Sequence, residues 1–321
     1  MDRDTGNALA PEDRAGLAGL RVAVLGPGGV GGLLAGLLAR AGATVTCLAG
    51  ADTAAVLNRQ GLRIDSGRYG SFTVPVRAAE RLSEPVDVCL VTVKATQLDT
   101  AAQRVPADVL GGALVVPLLN GVEHVALLRQ WYPGAAVVAG TIRVESSRVA
   151  PAEIRHDSPF ASIELAAGHE LRDRVEQLAG ALQQAGLDVR VTEDEGAILW
   201  GKLNFLAPLA LLTTDEDAPA GVVRERRRED LVAVIAEVAA VARAEGAPAD
   251  EHGVLEFFDQ VPASMQSSMQ RDAAAGRPTE LDAIGGAVVR AAARHGLAVP
   301  VTARLVDGLR ARGLESYESA R

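Results

Sequence analysis

The first regular feature of the chain is a short apolar, β-branched run at Arg21–Leu25, followed at once by Gly26-Pro27-Gly28-Gly29-Val30-Gly31. Residues 32–40 have helical character and stop at Gly42, and Thr44–Leu48 resumes as a strand. Strand, glycine loop, helix and strand within about thirty residues make a βαβ unit. Beyond it the pattern predicts a helix at 53–60, short strands at 62–65 and 72–76, and an apolar run at 86–93. Such a run suits a parallel strand buried on both faces. A helix at 96–104, a strand at 113–118 and a helix at 122–130 continue the alternation. After Tyr132-Pro133-Gly134, residues 136–145, 153–157 and 161–165 alternate as an antiparallel extension would, followed by an amphipathic helix at 170–185 and a strand at 188–191.

From Glu193 onward the pattern holds no convincing strand. Leu231, Val234, Ile235, Val238, Val241 and Ala242 share one face of a helix, and residues 280–295 and 302–312 continue the helical habit. The expected fold class is therefore α/β. A tail over residues 1–19 precedes a Rossmann-type dinucleotide-binding domain over 20–192, and an all-helical domain follows over 193–321. A cleft between two such domains is a usual place for a cofactor-fed active site.

Composition narrows the function classes. The chain is 48% apolar with scarce aromatics, as a soluble α/β protein is. Its net charge of −9 argues against nucleic acid, because phosphate backbones want a basic face. The one dense cationic run, 224–228, is broken by Glu225 and followed by Glu229 and Asp230, and reads as a solvated helix face. Cys47 and Cys89, the only cysteines, lie in strand-like runs and read as buried free thiols of a reducing cytoplasm. The five histidines are too scattered for a metal site, and the tail lacks the apolar core of a signal peptide. The most apolar helical stretch, 198–212, is too short to span a bilayer and carries Lys202 and Pro208. A cytoplasmic protein without membrane or nucleic-acid partners is expected. A homodimer through the helix at 230–245 stays open, although such an apolar face more often packs within its own domain.

The chemistry begins with the glycines. Gly26-x-Gly28-x-x-Gly31 follows a strand and opens a helix, which is the context the dinucleotide fingerprint requires. The first glycine permits the tight turn, the second lets the backbone approach the pyrophosphate, and the third allows close helix–strand packing. The choice of cofactor is less legible. The second strand ends Leu48-Ala49-Gly50-Ala51-Asp52, with neither charge at the expected spot; Asp52 comes late, and Arg59 and Arg63 serve only if the chain folds back.

Lysine usage adds a second signal. The chain has thirty arginines but only two lysines, Lys94 and Lys202. A lysine does what arginine cannot, because its amine has a tunable pKa and can give up a proton. Lys94 closes an apolar strand, at the end where ligands lie in an open α/β sheet. Lys202 sits on the first apolar helix of the second half, where burial lowers its pKa and suits it to protonate a carbonyl oxygen that receives a hydride. Asn120, one of four asparagines, also follows a strand; an ordinary Asn-Gly turn is the plain alternative. Glu280 begins a helix behind Gly276-Arg277-Pro278-Thr279, with Thr279 and Asp282 as a capping-box-like start. Its pattern alone suggests no more than a favourable dipole partner.

Taken together, these residues resemble the ketopantoate reductase family, which reduces 2-dehydropantoate to pantoate with NADPH, a step of pantothenate biosynthesis. The resemblance runs from Arg21 to near the end of the chain. It rests on the glycine loop, Val93-Lys94-Ala95-x-Gln97, Asn120-Gly121, Leu199-Trp200-x-Lys202-Leu203, Ser267-Ser268-Met269-x-x-Asp272 and Gly276-Arg277-x-Thr279-Glu280-x-Asp282. It implies that Lys202 is the proton donor and that Glu280 binds the substrate hydroxyl and steadies the lysine. It further implies that Ser268 meets the substrate carboxylate and that Lys94 and Asn120 line nicotinamide and substrate. Gly26, Gly28, Gly29, Val30 and Gly31 would hold the cofactor, NADP(H) ahead of NAD(H).

The departures are specific. Three asparagines that the family uses toward the substrate are Leu206, Ala210 and Met265 here, and Asn204 lies on the opposite helix face from Lys202. The family's basic residue for the 2′-phosphate falls at Ala49 or Gly50. The implied activity is reduction of a small substrate more apolar than ketopantoate: a 2-oxo acid, a ketone or an imine. A dinucleotide-binding redox sensor without catalysis, and a two-domain hydroxy-acid dehydrogenase using another base, are the competing readings.

Overall fold

The computed structural model of the chain describes residues 17–314. Most of the expected tail, residues 1–16, lies outside them. Residues 17–19 form a turn, and Leu17 is buried in the first core.

Strand β1 (Arg21–Leu25), helix α1 (Gly29–Arg40) and strand β2 (Thr44–Leu48) form the expected βαβ unit. Helix α2 (Ala51–Gln60) leads to β3 (Leu62–Ser66), β4 (Phe72–Val74) and β5 (Arg77–Ala79). Then come β6 (Val88–Val91), short helices α3 (Leu98–Ala102) and α4 (Ala107–Leu110), β7 (Leu114–Pro117), α5 (His124–Trp131) and β8 (Ala136–Val137). Six of these strands make one parallel sheet in the order β5-β2-β1-β6-β7-β8. The order reverses between β1 and β6, and a crevice at such a switch point is where an open α/β sheet binds its ligand.

The alternating segment builds a second sheet. Strands β9 (Ala139–Ala150) and β10 (Glu153–Ala166) form a long antiparallel hairpin, so the two stretches expected at 153–157 and 161–165 are one strand whose register shifts between them. Along the edge of β10 not taken by β9, β3 (with β4 beyond it) pairs with the first half of the strand and, after α6 (Arg172–Gln184), β11 (Asp188–Thr192) pairs with the last. Helix α1 lies between the two sheets, and its glycine-rich and leucine-rich faces are both buried.

Helix α7 (Glu195–Glu216) opens the helical half and is longer than expected. Asp194 caps it by accepting from the Ala197 amide at 2.8 Å, so the polar residues before Ile198 belong to the helix. At 22 residues it is long and apolar enough to cross a membrane, which corrects the expectation of a shorter stretch; 67% of its apolar window is buried inside this fold. Around it stand α8 (Ala220–Arg226), α9 (Arg228–Ala244), α10 (Glu251–Gln260), α11 (Ser268–Ala274), α12 (Ala287–Arg294) and α13 (Pro300–Ala311). Leu231, Val234, Ile235, Val238, Val241 and Ala242 are all buried in this core. At about 1.5–3 kcal/mol for each large apolar side chain, that face of α9 is used within its own half.

The arginine run is also not a merely solvated face. Arg227 is mostly buried and reaches Asp215 at 2.8 Å, Glu216 at 3.1 Å and Asp230 at 2.7 Å. Arg224 donates to the carbonyls of Phe258, Asp259 and Val261, and Arg228 pairs with Asp259. Cys47 and Cys89 are free, and their thiols face opposite sides of the parallel sheet. Burial pushes each up to about 12.

Candidate active site

The glycine turn sits at the carboxyl end of β1. Gly26 has φ +86°, which only glycine adopts without strain, and its amide donates to the Leu48 carbonyl at 3.1 Å. Thr92, just past β6, locks the turn by placing its hydroxyl 3.0 Å from the Leu25 carbonyl and 2.9 Å from that of Gly26. A Cβ at Gly31 would lie 2.2 Å from the same hydroxyl and 2.4 Å from the Gly26 carbonyl, so the third glycine is required by packing. Gly28 differs. The nearest atom to a Cβ built there is 4.0 Å away, so a side chain at Gly28 would fill open space in the mouth of the turn. No side chain caps α1, and its first turn carries no acidic residue. Uncommitted amides above a glycine mouth fit the pyrophosphate of a dinucleotide.

The neighbouring strand ends supply side chains. Lys94 follows β6 and reaches across to the helical half, where its Nζ donates to Asp272 Oδ2 at 2.6 Å. Asp272 is buried and also accepts from Arg277 Nε at 3.0 Å, so one carboxylate holds two cations. Asn120 follows β7. Its Nδ2 donates to Glu280 Oε2 at 2.8 Å, while the Ala95 amide donates to Glu280 Oε1 at 3.1 Å. Glu280, 6% exposed, thus turns both oxygens toward the nucleotide half. Gly121 allows this approach. At φ +94° it packs on the helical half so tightly that a Cβ would lie 2.4 Å from the Ala283 carbonyl. Arg290 completes the junction by gripping Glu123 at 2.7 and 3.0 Å.

Lys202 projects from α7 beside this junction. It is partly buried, and its Nζ has no hydrogen-bond or ion-pair partner among the described residues. Burial pushes its pKa down to about 8; the charge of Glu280 opposes that shift and the charge of Arg143 reinforces it. His124, the first residue of α5, lies close enough to feel the lysine. Burial first, and the Lys202 charge second, lower its pKa to about 4, so it is neutral at neutral pH. Its Nε2 is buried without a partner.

Ser268 opens α11 with its hydroxyl unused by the fold among the described residues, whereas the preceding Ser267 is consumed. Ser267 accepts from the Gln270 amide at 3.0 Å and shares a hydrogen with Thr213 at 2.9 Å. Leu206 and Met265 are partly buried at the edge of the helical core, and Ala210 is wholly buried within it. Glu280 lies just ahead of its helix rather than at the start of one. Residues Asp282–Gly286 form a π turn before α12, and Leu281, not Thr279, stands at its cap position without a capping side chain. The Thr279 hydroxyl donates to the Leu314 carbonyl at 2.6 Å, and Asp282 accepts from Arg290 at 2.7 Å.

Five separated sequence features, the glycine loop, Lys94, Asn120, Lys202 and Glu280, therefore gather where the two halves meet. Asp272 stood in a quoted motif without a role, and His124 carried no signal, since its burial beside Lys202 depends on contacts 78 residues apart along the chain. Of the cofactor candidates, Arg59 lies in the last turn of α2 and Arg63 in β3 of the second sheet, so the chain does not fold back to bring either to the tip of β2.

Comparison with known proteins agrees with this geometry. Residues 22–169 match the family described as ketopantoate reductase PanE/ApbA, and residues 196–313 match its C-terminal counterpart. A 2-dehydropantoate 2-reductase of Mycobacterium tuberculosis is 35% identical over 300 residues, covering 90% of this chain and 97% of that protein. One from Halobacterium salinarum is 32% identical over 299 residues, covering 91% and 98%. The crystal structure of a PanE/ApbA family ketopantoate reductase from Ralstonia eutropha superposes with a TM-score of 0.82 at 28% identity, covering 91% of this chain and 98% of that one. The chain, with its Rossmann-type and helical halves meeting at Lys202 and Glu280, belongs to the ketopantoate reductase family of oxidoreductases.

Proposed function

We propose that the protein reduces a small 2-oxo acid or related carbonyl compound with a nicotinamide dinucleotide, NADP(H) ahead of NAD(H), and that Lys202 is the general acid. The observation that carries this reading is the placement of Lys202: it lies beside Glu280 with no hydrogen-bond or ion-pair partner among the described residues, and burial pushes its pKa down to about 8. A proton donor is most effective with a pKa near working pH, being both charged before the reaction and willing to lose its charge. The bound cofactor would supply hydride to the carbonyl carbon. Lys202 gives its proton to the carbonyl oxygen as negative charge develops there. Glu280 keeps the lysine charged and accepts a substrate hydroxyl, Asn120 holds Glu280, and the Ser268 hydroxyl meets the substrate carboxylate. Lys94, fastened to Asp272, brings positive charge to the end of β6, over nicotinamide and substrate.

The substrate is proposed to be more apolar than ketopantoate, because Leu206 and Met265 present hydrocarbon where the family resemblance leads one to expect amides, and Ala210 is absorbed into the core. A site built to hydrogen-bond hydroxyls rejects analogues that lack them by on the order of 10⁴-fold, and a site without those partners gives up that preference. The test is NADPH oxidation with ketopantoate beside a set of aliphatic and aromatic 2-oxo acids. The expected outcome is a higher kcat/KM for an apolar 2-oxo acid. Ketopantoate as the best substrate would overturn the proposed shift, and binding of cofactor with no turnover of any carbonyl would overturn the reductase reading itself.

A further inference from the structure

In a βαβ unit the adenosine ribose lies over the end of the second strand, and a charge there decides between a free 2′-hydroxyl and a 2′-phosphate. Here that tip is Ala49-Gly50, which has no charge of its own. The structure brings one from elsewhere. Arg104, which follows α3, sends its guanidinium to the tip of β2, where Nη1 donates to the Ala49 carbonyl at 3.0 Å and to the Glu80 carbonyl at 2.9 Å. Its backbone is fixed as well: its amide donates to Ala101 and its carbonyl accepts from Leu82. Nη2 lies 4.0 Å from where a Cβ of Gly50 would stand, and that is the nearest atom to it.

What sets Arg104 apart is its place at the tip of β2 with donors to spare. Arg21, Arg68, Arg129, Arg227, Arg228 and Arg290 each grip a carboxylate. Arg224, like Arg104, binds only carbonyls, and through Nη1 alone, but in the helical half. Arg104 has no carboxylate within 4.0 Å among the described residues, although the chain is acidic overall. Its two carbonyl partners also share a single nitrogen, which leaves Nη2 and Nε, a parallel pair of donors, without partners among the described residues and beside an open glycine. A planar pair of charged donors on a guanidinium already held in place matches a phosphate.

We infer that Arg104 reads the 2′-phosphate of the cofactor and makes NADP(H) the preferred dinucleotide. This rests on the proposal that the glycine turn holds the pyrophosphate. Gly50 takes part by having no side chain, which keeps the approach to Nη2 clear. The opposing feature is Asp52, exposed in the first turn of α2, which would favour NADH if it reached the ribose hydroxyls.

The test is equilibrium binding to the full chain, followed by the fluorescence of NADPH and of NADH, with competition by 2′-AMP and 5′-AMP. The wild type should bind NADPH at least about tenfold more tightly than NADH, and 2′-AMP should compete better than 5′-AMP. Arg104→Gln should weaken NADPH by about 10- to 100-fold, the range of one or two hydrogen bonds to a charged group, and leave NADH within about twofold. Arg104 also pins the tip of β2, so Gly50→Asp serves as a second variant that keeps the arginine. Its φ of −65° accepts a side chain, and the new carboxylate should pair with Arg104 and reverse the preference toward NADH. Equal loss of both cofactors in Arg104→Gln with no reversal in Gly50→Asp would assign Arg104 a structural role. A wild type that favours NADH would overturn the inference while leaving the reductase proposal intact, and failure to bind either cofactor would overturn both.

Discussion

Replacing Lys202 by methionine is expected to lower turnover by about 10²- to 10⁴-fold, the contribution of a general acid, while raising the thermal stability of the protein. Both effects come from the same burial. Methionine keeps the length of the side chain and its apolar stem but has no proton to give. The stability gain follows from the pKa, which is near 10.5 for a free lysine and about 8 in the fold. Below about pH 8 the lysine is charged in both states, and the folded state carries the full penalty of enclosing the ammonium. As pH rises from about 8 to 10.5 the folded protein sheds its proton first, and the penalty fades. The difference corresponds to about 3 kcal/mol at neutral pH, an upper bound for what methionine releases. Thermal melts at pH 7 and pH 10 should therefore show a gain for the variant that is larger at pH 7. Cofactor binding should stay near normal. In the wild type, carbonyl reduction should decline above about pH 8 as the donor is lost. Unchanged turnover in the variant would remove Lys202 from the reaction, and a lower melting temperature at pH 7 would mean that its attraction to Glu280 outweighs burial.

Glu280→Gln should reduce turnover by about 10²-fold at pH 8 and by less at pH 6. The carboxylate has one oxygen for the Ala95 amide and one for Asn120, whereas a glutamine has a single carbonyl oxygen. If that oxygen keeps the Ala95 amide, the new NH₂ faces Asn120, which must turn its own amide over and present a different edge to the ligand. The variant also removes the charge that supports the Lys202 ammonium. The pKa of Lys202 then falls below about 8, and the alkaline limb of the turnover profile should move to lower pH. A loss of activity without movement of that limb would limit Glu280 to holding Asn120 and the substrate.

The order of elements in the first half was readable because each parallel strand is a short apolar run between helices, and Gly26, Gly28 and Gly31 punctuate the first turn. Lys94 and Lys202 stood out because the chain otherwise uses arginine. What escaped was set by distance along the chain. The run at 224–228 reads as solvated until Asp215 and Asp259 are brought to it from other helices. The same holds for Arg104, whose meeting with Ala49 crosses 55 residues. β5 is three residues long and offers too little periodicity to detect. Thr279 and Asp282 have the spacing of a cap, but the fold directs the threonine hydroxyl to Leu314 and the carboxylate to Arg290. Glu280 was the least legible site residue, because a glutamate near a helix start has an ordinary explanation. Its role depends on Asn120 and Ala95 meeting it across the junction.

The near-absence of lysine has a consequence for chemical labelling. Amine-reactive reagents ordinarily spread over the many surface lysines of a protein, but here both side-chain amines lie where the two halves meet, and Lys94 is engaged by Asp272. Lys202 has no partner among the described residues and, with a pKa of about 8, carries a large neutral fraction in mildly alkaline buffer. The two thiols are buried and held protonated. Apart from the α-amino group, a general acylating reagent therefore meets one reactive side-chain amine, and protection of that lysine by a bound ligand, read on its own peptide, becomes a direct measure of occupancy.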